Sequence, residues 1–206
     1  MDEFTIGIED HYAWANLVSI TTMASELHAV LLDRRRVRLL DPHLPASPYH
    51  HDTLSMSLAD GEHLVREVTH SAAALARVAL AEVIDELAPA RCRGIAIRVP
   101  PLPRLPASVA EAHAQAAVRN RADGMIYHQA LTQAAARLEL KVVFFGKGDV
   151  LEQAAQANGT TARDLERQLK ALGAAGGPPW RRGQVLACAG AIFAHSSDGA
   201  AKQENS

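Results

Sequence analysis

Glu9-Asp10-His11 interrupts an apolar run, Phe4-Thr5-Ile6-Gly7-Ile8. Burying charge without a partner is costly. An acidic break at a strand end is therefore a candidate functional site, and a polar surface bend is the plain alternative. A second group, Tyr49-His50-His51-Asp52, closes a proline-rich loop. Loops carry function disproportionately, and a histidine there can act as a base near neutral pH. Adjacent histidines often point in opposite directions, however, and no four-ligand zinc spacing accompanies them. His113, Ala117, Arg121, Gly124 and His128 fall on one face of a single helix, flanked by Tyr127 and Thr132. That face either turns toward the site or is solvated. Arg34-Arg35-Arg36 with Arg38, and Arg181-Arg182 beside Trp180, combine guanidinium with aromatic groups, which suits phosphate binding and base stacking. A charged turn and a helix start are the plain readings. Glu9, Asp10, His51 and His128 are thus the candidate catalytic residues. Tyr49, His50, Arg98, Tyr127 and Arg181 are the candidate substrate contacts.

The elements that must position these groups change period along the chain. Phe4–Ile8, Tyr12–Ile20 and a third apolar stretch read as antiparallel strands. Within the third, Leu27–Leu32 and Val37–Leu40 flank Asp33-Arg34-Arg35-Arg36, which reads as a charged hairpin turn. Pro42, Pro45 and Pro48 then mark a loop over 41–53. Helical spacing predicts a helix over 58–87 with Asp60 as its cap. Gly94–Val99 reads as a strand ended by Pro100, Pro101, Pro103 and Pro106. Ser108 caps a helix to about Leu138, interrupted at Asp123-Gly124, where close contact with another group is expected. Lys141–Phe145 is the fifth strand. Short helices follow over 150–157 and 162–172, then a Gly/Pro loop and a last helix over 180–194. Strands joined through helices imply parallel crossovers. The expectation is one α/β domain over 1–195, with a small, polar, disordered tail over 196–206.

The whole chain of 206 residues carries 21 Lys+Arg and 23 Asp+Glu, a formal charge of -2. A generally basic, non-specific nucleic-acid binder is not indicated, though a local basic patch stays open. With 48% apolar residues a sizeable core is available. Cys92 and Cys188 are too few and too far apart for a disulfide scaffold, and Cys188 reads as packing. The acidic start has no apolar stretch behind it, and the run Val185–Ala194 is too short to cross a bilayer. A cytoplasmic protein without a membrane partner is expected.

The order of three strands, helix, strand, helix, strand and helices resembles the ribonuclease H-like superfamily, and most of all its RuvC-type Holliday-junction resolvase branch. Three stretches carry the resemblance: Thr5-Ile6-Gly7-Ile8-Glu9, similar to a strand reading I-x-G-I-D; Ala130–Phe144, similar to a helix-then-strand unit; and Gly159–His195, similar to the C-terminal segment. The resemblance implies a mixed five-stranded sheet, the first three strands antiparallel, flanked by helices. It also implies a metal ligand at Glu9, so that Mg or Mn, if held at all, would be held by Glu9 and Asp10. The branch's second acid falls nearest Arg98, whose guanidinium is expected to reach Glu9 and stand in for the cation, and Arg181–Ala187 lacks the carboxylate of its last helix. Two-metal chemistry needs cations about 3.5–4 Å apart and carboxylates to hold them. The expectation is a non-catalytic or divergent nucleic-acid-binding or interaction domain, with structured or single-stranded nucleic acid as partner and a homo-oligomer left open. The rivals are a divergent metal-dependent nuclease or hydrolase, and a small-molecule-binding or assembly protein on the same scaffold.

Overall fold

The computed structural model describes residues 3–23, 26–146 and 150–203. Strands β1 (Glu3–His11), β2 (Trp14–Met23) and β3 (Glu26–Arg38) are followed by helix α1 (Leu58–Glu86), β4 (Arg91–Arg98), α2 (Val109–Ala114), α3 (Ala116–Arg137), β5 (Lys141–Phe145), α4 (Val150–Ala157), α5 (Ala162–Ala175) and α6 (Arg182–Gln203). The sheet order is β3-β2-β1-β4-β5. β1–β2 and β2–β3 pair antiparallel; β1–β4 and β4–β5 pair parallel.

Alternation along the strands separates two cores. Ile6, Ile8, Leu17, Ile95 and Ile97 face α1 and α3, meeting Val68, Leu80, Ile126 and Leu131. Val18, Ile20, Ala96 and Phe145 face the other way, against α4, α5 and the small residues of α6. Full burial of each such isoleucine or leucine is worth about 1.5–3 kcal/mol. Two buried faces explain why β1 and β4 read as nearly unbroken apolar runs.

Several boundaries differ from expectation. Asp33-Arg34-Arg35-Arg36 is not a turn but the middle of β3, an edge strand whose charged side chains alternate between faces. Arg35 turns to Asp33 and Glu86, at 2.7 and 2.6 Å. Arg34 goes the other way and donates to the carbonyls of Gly176, Gly177 and Pro179. The cap of α1 is Ser57, whose hydroxyl accepts the Asp60 N–H, so Asp60 serves at the third helical position instead. The helix after Ser108 breaks at Gln115, not at Asp123-Gly124. There α2 is tied to the start of α1 by Val109 N–H to Glu62 at 2.6 Å and to the short turn Asp52–Ser55 ahead of α1 by His113 to Thr53 at 2.9 Å, and Gln115 is extended, which separates α3 from α2. His113 therefore does not share a helix with His128. The last helix runs to Gln203, eight residues into the segment expected to be a disordered tail, with Ser196 donating to Asn158 at 3.1 Å. Its residues 200–203, Ala-Ala-Lys-Gln, are good helix formers. Residues 204–206 lie outside the described residues. No described helix is long and apolar enough to cross a membrane.

Candidate functional site

Consecutive residues of a strand point to opposite faces, so Glu9 and Asp10 cannot share a site on β1. Each has its own surroundings.

Asp10 faces α3 and is only 7% exposed. Its Oδ1 lies 3.4 Å from a guanidinium nitrogen of Arg98, and its Oδ2 lies 3.5 Å from Nδ1 of His128, which is itself buried. Burial works to raise the Asp10 carboxyl, but His128 and the Arg98 charge outweigh it and hold the group below its ordinary range. The Ile8–Ile97 pair puts the root of Arg98 on the Glu9 face. Its long side chain nonetheless carries the guanidinium to Asp10. The expected Arg98–Glu9 pair is thus replaced by Arg98–Asp10.

Glu9 faces α6. Its Oε2 accepts from Asn16 at 3.1 Å and lies 2.5 Å from Nε2 of His11. A Cβ placed on Gly183 would sit 2.4 Å from the same oxygen, so the carboxylate lies against the first turn of α6. A helix N-terminus favours a negative charge there. Gln184, in the same turn, accepts the Arg181 N–H at 2.9 Å and closes half of a capping box. The residues that face Glu9 are thus an imidazole, an amide and a glycine. Among the described residues no group of three His, Cys, Asp or Glu can hold a metal ion. The side chains do not fit a two-metal centre, because the two carboxylates point to opposite faces and each is engaged by neighbours.

The same face carries a stacked ladder across three strands. The ring of His11 on β1 lies 3.8 Å from that of Trp14 on β2, at 13°. The guanidinium of Arg36 on β3 lies 3.6 Å from the Trp14 ring. Arg38 pairs in register with Trp14, and Arg181 and Arg182 stand at the start of α6. Arg36, Arg38, Arg181 and Arg182 are all exposed, and none has a carboxylate partner among the described residues. Nearby, Arg34 lies 5.7 Å over Trp180. The Arg/Trp clusters were legible in the sequence, but His11 and Trp14 as their partners were not. The two-residue spacing of Arg34, Arg36 and Arg38 was the available signal.

The other candidates gather around α3. Tyr49 and Tyr127 are buried, and Tyr127 donates to the Ala46 carbonyl at 2.8 Å. Asp123, fully buried, accepts the backbone N–H groups of Tyr49 and His50 at 2.9 and 3.1 Å. These contacts fasten the proline-rich loop to α3. His50 and His51 stack edge-on at 4.4 Å, with His51 exposed. Gly124 has the close contact expected of it, since a Cβ would lie 3.2 Å from the Tyr12 ring. The structure thus brings together Asp10, Arg98 and His128, and leaves Glu9 on one side and His50 and His51 on the loop.

Arg98→Met tests the first of these groupings. It is expected to destabilise the fold by about 2–3 kcal/mol at pH 7, since Asp10 stays buried with only His128 beside it. A carboxyl held below its ordinary range adds stability above the unfolded value and loses it as pH falls. The deficit of the variant should therefore shrink on acidification toward pH 3. Urea unfolding at both pH values checks this, and a pH-independent difference would contradict it.

No protein-family model matches the chain, and no curated protein does. Among solved structures it is similar to that of Thermus thermophilus RuvC, with 13% identity, 96% of each chain covered and a TM-score of 0.57. It is also similar to T. thermophilus RuvC in complex with a Holliday junction substrate, with 13% identity, the same coverage and a TM-score of 0.55. The fold is therefore RuvC-like: a mixed five-stranded sheet flanked by helices.

Proposed function

We propose that this chain is a nucleic-acid-binding domain that does not cleave its ligand. One observation carries the reading: the exposed arginines around the His11–Trp14–Arg36 ladder, without carboxylate partners among the described residues. A guanidinium held 3.6 Å from the centre of an indole ring has already lost much of its freedom. Its in-plane donors remain available for the bidentate contact that phosphate oxygens accept. The solved RuvC with a Holliday junction substrate supports the same ligand class on this scaffold. The absence of cleavage follows from the carboxylates. Glu9 is held by His11 and Asn16, Asp10 by Arg98, and they lie on opposite faces. The rival hydrolase needs Glu9 and Asp10 to share a metal with a histidine of the 50–51 pair, which this alternation opposes.

Fluorescence anisotropy with a labelled four-way junction, a duplex and a single strand, from 50 to 200 mM salt, tests the reading. Binding should weaken with a log–log slope of about −3 to −4 on duplex if four arginines meet phosphates. No product should form with Mg²⁺ or Mn²⁺. Absence of salt-dependent binding to all three ligands would overturn the binding half. Metal-dependent cutting that vanishes in Glu9→Gln would overturn the other.

A further inference from the structure

Resting on the nucleic-acid reading, we propose that the ligand is single-stranded, with its phosphates on the arginine face and its bases on an aromatic rim across the β1–β2 turn. The rim consists of Tyr12 and Phe144, which are 45% and 47% exposed, with Val99 at 48%. Large aromatic groups left in water at a strand end lack the burial their surface favours. The two rings belong to one place. Tyr12 lies 6.4 Å from the Tyr127 ring, and Phe144 lies 6.0 Å from the His128 ring, near-parallel at 25°. Tyr127 and His128 are neighbours on one turn of α3, so Tyr12 and Phe144 flank the Asp10–Arg98–His128 cluster. All of this stands at the carboxyl ends of β1, β4 and β5, the side on which open α/β sheets bind ligands.

The turn between β1 and β2 is only Tyr12-Ala13. On one side of it His11 and Trp14 lead to Arg36 and Arg38; on the other the Tyr12 ring leans on Gly124. A strand laid over this ridge meets guanidinium groups with its phosphates and rings with its bases. Same-face residues of β3 repeat about every 6.6–6.8 Å, comparable to the step between phosphates of an extended single strand. A duplex can use the arginines only, because its bases are stacked inside. Exposed rings become useful to a ligand whose bases are splayed out.

The test uses the full chain and a labelled oligothymidylate, which has no internal pairing, beside a duplex and a four-way junction of matched length. The single strand is expected to bind at least tenfold more tightly than the duplex. Tyr12→Leu and Phe144→Leu keep apolar bulk and lose stacking. Each should weaken oligothymidylate binding about tenfold and leave duplex binding unchanged, whereas Tyr12→Phe should bind like the parent. Arg36→Ala should weaken all three ligands. Duplex or junction binding as tight as single-strand binding overturns the inference and leaves the broader reading standing, as do leucine variants that bind the oligothymidylate like the parent. Failure of all three ligands to bind overturns both. Circular dichroism of each variant excludes loss of fold as the cause.

Discussion

Gly7→Ala is expected to prevent the stable docking of α6 on the sheet. A Cβ at this position would lie 1.7 Å from the carbonyl oxygen of Ala187 and 2.6 Å from its carbon. Neither backbone can yield. β1 is hydrogen-bonded on both sides, to β2 and β4. Ala187 is fully buried in α6 between the sheet and α4. Ordinary overpacking costs about 1–3 kcal/mol because side chains can shift. Here backbone must move against backbone, and the expected cost exceeds about 4–5 kcal/mol, a large fraction of a typical domain's stability. Soluble yield and denaturant unfolding measure it. A variant that folds with its midpoint unchanged would show that α6 does not approach β1 as closely as the structure has it.

The same glycine shows why the fold was legible in the sequence. It lies in the run Thr5-Ile6-Gly7-Ile8-Glu9, whose apolar residues were readable as a strand without coordinates, whereas the need for an empty position facing α6 was not. The five strands, their order of connection and the Gly124 contact follow from periodicity and breakers of this kind. The charged stretch Asp33–Arg36 misled because a run of four charges looks like a turn; on an edge strand each charge alternates to water or to a partner such as Glu86. The break at Gln115 could not be read because its cause is tertiary, the contacts from Glu62 and Thr53 to α2. The candidate site was half legible. Asp10, Arg98 and His128 were each singled out, but a Glu9–Arg98 pair was expected, since register alone cannot tell how far a long guanidinium side chain travels. Asp123 was noticed only as a helix interruption. An acid amid Ala122, Met125 and Ile126, all buried, was the signal that it holds something inside.

What Asp123 holds gives the second large effect. Its two carboxylate oxygens accept the N–H groups of Tyr49 and His50. Tyr127, one turn along α3, holds the Ala46 carbonyl. Asp123→Leu would leave one buried and one half-buried donor without acceptors, at about 1–3 kcal/mol each, and free the loop from α3. The expected loss is about 2–5 kcal/mol, read by urea unfolding. The carboxyl also sets a pH dependence. Burial pushes it up from its ordinary 3.8 to about 6, against the two backbone N–H groups and the nearby imidazoles of His50 and His51. The Tyr12, Tyr49 and Tyr127 hydroxyls beside it do not titrate in this range. A carboxyl whose folded value is raised binds its proton more tightly when folded. Its contribution is complete below the unfolded value and is lost as pH rises through the folded one. Between pH 4 and pH 6.5 this removes on the order of 3 kcal/mol at most, at about 1.4 kcal/mol for each pH unit between the two values. Asp123→Asn has no proton to lose there. The stability advantage of the parent over Asp123→Asn should therefore narrow as pH rises from 4 to 6.5. An advantage that widens instead would mean that the two N–H groups and the histidines outweigh burial, and that the loop is held by a charged carboxylate throughout.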